Sequence, residues 1–159
     1  MMYDTLIVGG QYPNFETGKL ERAEIALKDG KIADLLPAGE RPQAGQVIEA
    51  AGKVVSPGFI DLHMHEEEFK NGSHSYDIAQ YMARQGVTTC VPGNCGQQNH
   101  PIARFRAILE ENGGAPVNYI LLAGYNSIRE GEGLGWYDAI TPERQAVILE
   151  KLNKELRDG

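Results

Sequence analysis

This 159-residue chain has two cysteines, four histidines and one tryptophan, few of the residue types most often recruited for chemistry. Two cysteines build no disulfide framework, and without a second pair they build no zinc ribbon. Basic residues are in deficit, 15 Lys plus Arg against 22 Asp plus Glu, for a formal charge of -7. A chain this acidic lacks a phosphate-binding footprint, so neither nucleic acid nor an anionic membrane is expected as a partner. No apolar run approaches the ~20 residues of a bilayer span, and the apolar stretch near Met1 is too short for a signal peptide. What is present is ordinary. With 42% hydrophobic and 23% charged residues, a disordered or fibrous chain is excluded, and a soluble cytoplasmic globular protein is expected.

Glycine is plentiful, with 19 residues that punctuate short segments. Tyr3 to Val8 reads as a strand closed by Gly9-Gly10. Glu21 to Leu27 alternates polar and apolar before Asp29-Gly30, a strong two-residue hairpin signal, and Lys31 to Leu36 follows. Val47 to Ala50 and Lys53 to Val55 add two short strands, so residues 1–56 form a mostly antiparallel β module without helix. From Pro57 the period changes. Strands are expected at Phe59–His65, Val87–Val91 and Val117–Ala123. They alternate with helices at Ser75–Arg84 (Ser75 as N-cap; Ile78, Tyr81 and Met82 inward), at His100–Asn112, and from Thr141 onward with the stripe Ile148, Leu149, Leu152, Leu156. Three strand–helix alternations argue for parallel βαβ units in residues 57–159.

The first of these strands carries the chemistry. Strand alternation places Asp61, His63 and His65 on one face and Ile60, Leu62 and Met64 on the other. In a parallel barrel the apolar set packs under helices, and the histidines lie at the carboxyl end, where such barrels hold their active sites. Imidazoles at i and i+2 can converge on one cation. Paired surface histidines are the other reading of His-x-His, and a polar face on an apolar strand favours ligands. Pro92 and Gly93 end the second strand, placing Cys95 on the same rim, where a thiolate would add a soft, charged ligand. Cys90, inside that strand, reads as an inert buried thiol, with a Cys90–Cys95 disulfide as the alternative.

Other residues read as structural. His74 and His100 stand at helix starts, in solvated or capping roles. Glu66-Glu67-Glu68 reads as a solvated rim with a carboxylate in reach of a metal. Arg129 can hold a substrate carboxylate bidentately, although a loop salt bridge is the commoner role. The glycines at 131, 133 and 135 make no phosphate loop, and Ser127 has no His or Asp companion.

These residues resemble a known family. Val54-Val55-Ser56-Pro57-Gly58-Phe59-Ile60-Asp61-Leu62-His63-Met64-His65 is similar to a signature of the amidohydrolase superfamily. Asp29-Gly30-Lys31-Ile32 and Ala51-Gly52-Lys53 resemble the N-terminal part of its β-sandwich. Gly86-Val87-Thr88-Thr89 with Gly93-Asn94-Cys95-Gly96 narrows the resemblance to the N-acyl-D-amino-acid deacylases, or D-aminoacylases. The resemblance implies an α/β fold, a β-sandwich part at 1–56 and the first three βα units of a (β/α)8 barrel at 57–159. It also implies zinc-assisted hydrolysis of a linear amide, with His63, His65 and Cys95 as metal ligands to one or two ions. Zinc suits imidazole and thiolate ligands, and iron or cobalt would also fit.

Two departures stand out: Tyr125 lies where relatives often carry histidine, and Cys90 is unusual in its strand. Relatives draw further histidines and a general-base aspartate from later strands, so the base is expected beyond residue 159. A complete barrel takes ~250 residues, and the chain is therefore expected to be an N-terminal portion with little activity alone. A cyclic-amide hydrolase of hydantoinase or dihydroorotase type is one alternative. A non-catalytic fragment working by homo-oligomerisation or docking onto a complementary C-terminal portion is the other. Catalytic and substrate-binding residues stay unassigned.

Overall fold

The computed structural model describes residues 2–69 and 75–158. The chain is mixed α/β and divides into two compact units, Met1–Pro57 and Gly58–Gly159. In the first, β1 (Tyr3–Val8), β4 (Glu24–Lys28), β5 (Lys31–Leu36) and β6 (Ala44–Glu49) form a sheet of order β5-β4-β1-β6, while β2 (Gln11–Asn14) and β3 (Lys19–Arg22) form a separate ribbon. Asp29 and Gly30, at φ 51° and 71°, make the tight turn that pairs Lys28 with Lys31. Both positions need a left-handed backbone, which is why Asp-Gly works there. Leu6, Val8 and Ala26 fill the core of this sheet. Glu24 is buried among them, its carboxylate accepting the Gly9 and Gly39 N–H groups, each at 2.7 Å.

Two expectations for this unit need correction, and one strand was not foreseen. The alternating run Glu21–Leu27 is divided between two strands, because β3 pairs with β2 while β4 pairs with β1 and β5. The strand Gln11–Asn14, which the sequence reading does not include, contains Pro13. It survives in a two-stranded ribbon, where a missing N–H is tolerated. Lys53–Val55 forms only an isolated bridge between Val54 and Gln11.

In the second unit β7 (Phe59–Met64), β8 (Val87–Pro92) and β9 (Asn118–Tyr119) lie parallel in that order. Between and after them come α1 (Asp77–Arg84), α2 (Ile102–Glu111), α3 (Tyr125–Gly131) and α4 (Pro142–Asp158). Met64, Tyr76, Ala79, Cys90 and Val117 form one core cluster. Ile102, Phe105 and Ile108 are the buried face of α2, and full burial of a side chain such as Phe105 contributes about 2 kcal/mol. Among the described residues no helix is long and apolar enough to cross a membrane.

Here too the structure differs from the expectations. Helix α1 starts at Asp77 with Tyr76 at the N-cap position, and Ser75 Oγ donates to the Asp77 carboxylate. Ala79 is its buried residue, whereas Tyr81 is exposed. Ile60 and Leu62 are exposed, and of the apolar set on β7 only Met64 is buried. On α4 the stripe narrows to Ile148, with Leu149 and Leu156 exposed. The third strand is regular for two residues only, yet Ile120 N–H and Leu122 N–H still donate to Cys90 and Pro92 carbonyls. Residues 125–131, read as loop, are the helix α3, too short to show an apolar stripe.

Candidate metal centre

Strand β7 carries Asp61 and His63 and ends at Met64, one residue before His65. The β7–β8 register shifts between Asp61 and Met64, and Asp61 is not among the side chains whose ligand atoms converge. Its carboxylate turns back to accept the backbone N–H of His63 at 2.9 Å. His63 and His65 remain together, their ring centroids 6.1 Å apart.

Cys95 reaches them from the next strand. Pro92 closes β8, Gly93 takes φ 95°, and a 3-10 turn, Asn94–Gly96, follows. A Cβ on Gly93 would collide with the Leu122 carbonyl oxygen, so glycine is required there. The turn sets Cys95 Sγ 3.5 Å from His63 Nε2. Ligand atoms of His63, His65 and Cys95 all lie within 4.8 Å of one another, and all three residues are exposed. Tetrahedral zinc with bonds of ~2.05 Å to nitrogen and ~2.3 Å to sulfur implies a nitrogen–sulfur separation of about 3.6 Å. The donor set and the His63–Cys95 spacing therefore fit a zinc-like ion. Three protein ligands leave coordination positions open, the pattern of catalytic sites.

The remaining candidates stand apart from this cluster. Glu66 and Glu67 are not a solvated rim. They are 6% and 3% exposed, because each carboxylate serves as a backbone acceptor. Glu66 takes the N–H groups of Asn99 and His100 at 2.8 and 3.3 Å, and Glu67 takes that of Ala79 in the first turn of α1 at 2.7 Å. Burial pushes the Glu66 carboxyl pKa up, and those two N–H groups pull it back. Glu68 is exposed.

Cys90 and Cys95 are both free thiols, and burial pushes the Cys90 thiol pKa up. Arg129 is helical, and its guanidinium donates to the Gly135 and Asp138 carbonyls at 2.7 and 3.1 Å rather than forming a loop salt bridge. His100 is half-buried, stacked on Phe69 at 5.7 Å between centroids. His74 lies outside the described residues. Ser127 bonds to Gln97 and Gln98 and meets no histidine among the described residues. Two site residues went unread in the sequence. Asn94 and Asn126 place their amides on the Cys95 turn, and only their presence in the Gly-Asn-Cys-Gly and Asn-Ser-Ile-Arg segments marked them.

The amidohydrolase family profile matches residues 46–147. An adenine deaminase of Listeria innocua is 33% identical over 139 residues, covering 83% of this chain and 22% of that protein. The chain thus spans about a fifth of the curated relatives it matches. Among solved structures, N-acyl-D-glutamate deacylase from Bordetella bronchiseptica, complexed with zinc and a phosphonate inhibitor, superposes with a TM-score of 0.83. Its identity is 25%, over 99% of this chain and 37% of that one. A D-aminoacylase reaches the same TM-score at 23% identity with the same coverage, a likeness of fold. L-Hydantoinase from Arthrobacter aurescens superposes less closely, with a TM-score of 0.58 at 23% identity over 98% and 39% of the two chains.

Proposed function

The chain belongs to the amidohydrolase family, and we propose on that premise that it carries the metal-holding part of a hydrolase acting on a carbon–nitrogen bond. One observation carries the proposal: His63, His65 and Cys95, drawn from two strand ends, bring their ligand atoms within 4.8 Å. In this reading the two imidazoles and the thiolate hold zinc. When bound, such an ion supplies Lewis acidity to a carbonyl and acidifies water toward neutral pH. The chain's own residues supply placement. Asp61 fixes the backbone of His63, Gly93 lets the turn approach Leu122, and the exposure of all three ligands leaves room for a substrate. Among the described residues no carboxylate joins the three, which is in line with a proton-transferring base supplied from elsewhere, and turnover by this chain alone is expected to be slow.

For the substrate we propose N-acyl-D-amino acids, supported by the closer superposition on the deacylases than on the hydantoinase. Addition of water then splits the amide into a carboxylate and a free D-amino acid. Adenine deamination is the second reading, favoured by the sequence relatives. It uses the same carbon–nitrogen hydrolysis and releases ammonia.

Two measurements test this. Metal-stripped protein titrated with zinc against a chromophoric chelator should take up zinc, and absence of uptake sinks both readings. Zinc-loaded protein is then offered N-acetyl-D-glutamate, N-acetyl-D-methionine and adenine. Release of D-amino acid without ammonia supports the deacylase reading, and ammonia from adenine alone supports the second. An enzyme-like rate from the 159-residue chain would contradict the expectation of a base supplied from elsewhere.

A further inference from the structure

Cys95 occupies a backbone conformation that its residue type does not choose. Its φ of 58° and ψ of 12° lie in the left-handed region, where a side chain other than that of glycine, Asn or Asp is uncommon. Among the described residues Asp29 is the other non-glycine residue at positive φ, and there a hairpin turn demands it. The neighbours of Cys95 follow the expected pattern, with glycine at 93 and 96, at φ 95° and 68°. Something outside the residue holds it, and the turn's hydrogen bonds identify what does.

We propose that Asn94 and Asn126 are positioning residues of the metal centre, their side-chain amides holding Cys95 left-handed with its sulfur beside His63. The inference rests on reading His63, His65 and Cys95 as ligands. Asn94 Nδ2 donates to the Val91 carbonyl at 2.6 Å and to the Leu62 carbonyl at 2.9 Å. Leu62 directly precedes His63, so one amide fastens the strand that bears the imidazole to the turn that bears the thiol. Asn126, in the first turn of α3, donates Nδ2 to the carbonyl of Cys95 itself at 2.7 Å. The fit is close. A Cβ on Gly96 would stand 3.0 Å from that same amide nitrogen.

Helix α3 is held in place for this role, since Ser127 Oγ accepts the Gln98 N–H at 2.9 Å and the Gln98 side chain accepts the Gly124 N–H. All three partners of the two amides are carbonyl oxygens, so the role requires a donor. Aspartate has nearly the shape of asparagine and, when ionised, offers oxygen against oxygen. The change from Asn to Asp therefore isolates donation from size.

Cobalt(II) is the probe, because cobalt bound to a thiolate gives a charge-transfer absorption band that imidazole ligands do not. In the wild-type chain cobalt should produce this band on saturation. Asn94→Asp and Asn126→Asp should each bind cobalt ~10–100-fold more weakly, the usual cost of losing a group that orients a ligand. The band should also be weaker at saturation, with far-UV circular dichroism unchanged. Asn126→Gln, which keeps the donor, should recover part of the band. Variants with the wild-type band and affinity overturn the positioning role. So do variants that lose thermal stability and keep the band, since that is the mark of a purely structural bond. Should Asn94→Asp fail to fold, Asn126→Asp, half-buried on α3, decides alone. A wild-type chain without the thiolate band overturns the ligand reading, and the positioning role falls with it.

Discussion

Residues 63–67 place two kinds of polar side chain next to each other. His63 and His65 are exposed and converge with Cys95. Glu66 and Glu67 are buried, and each carboxylate accepts a backbone N–H from a different segment of the chain. A buried polar group must have its hydrogen bonds satisfied within the fold, so the two carboxylates act as scaffold, tying this stretch to α1 and to the segment before α2. The exposed pair keeps ring nitrogens available to something from solution. Burial with a partner marks structure here, and exposure with convergence is what the proposed metal site is read from, although the two sets are neighbours in sequence.

The largest expected effect separates the two sets. His63→Ala should weaken zinc binding, read by chelator competition, by more than the ~100-fold that losing a mere supporting group can cost. As an exposed substitution it should move folding stability by no more than about 0.5 kcal/mol in urea denaturation. Glu67→Ala should do the reverse. It leaves the Ala79 N–H buried without its acceptor, a loss of about 1–3 kcal/mol, while the folded fraction keeps its zinc affinity. If Glu67→Ala abolished zinc uptake under conditions where the chain remained folded, the division between scaffold and site would collapse.

The difference between the sets also explains what the sequence made legible. Strands β1 and β5 were readable to the residue because β-prone runs end at Gly9-Gly10 and start after Asp29-Gly30, both local signals. The convergence of His63, His65 and Cys95 was readable because i, i+2 spacing and a Pro-Gly strand stop are local as well. Glu66 and Glu67 were misread as solvated because their acceptor roles depend on Asn99 and Ala79, 33 and 12 residues away. Composition alone favours water for three consecutive glutamates. The turn of the Asp61 carboxylate onto the His63 N–H, beside the register shift against β8, is a detail of the folded strand that alternation does not announce. Likewise α3 has seven residues and no apolar stripe, so its role as the support of Asn126 is visible only through contacts with the Cys95 turn and Gln98.

His100 offers the smallest and most selective test, a half-buried counterpart to the exposed pair. Its Nε2 is buried with no hydrogen-bond partner among the described residues, and the ring stacks on Phe69. Burial first, and the Arg104 charge second, push its pKa below the ordinary 6.5. A histidine depressed in the folded state is held neutral there, so its contribution to stability is fully present above pH 6.5. That contribution is lost as the pH falls from 6.5 through the lower folded value, where the proton binds the unfolded chain more readily. Wild type should therefore lose more thermal stability than His100→Gln between pH 7.5 and 5, with the curves converging at the alkaline end once any constant offset is removed. The contact between Glu66 and the His100 backbone N–H persists in the variant, so the difference reports the ring alone. Parallel curves across that range would mean that the His100 ring is solvated enough to titrate normally, and the contrast with His63 and His65 would then rest on the carboxylates.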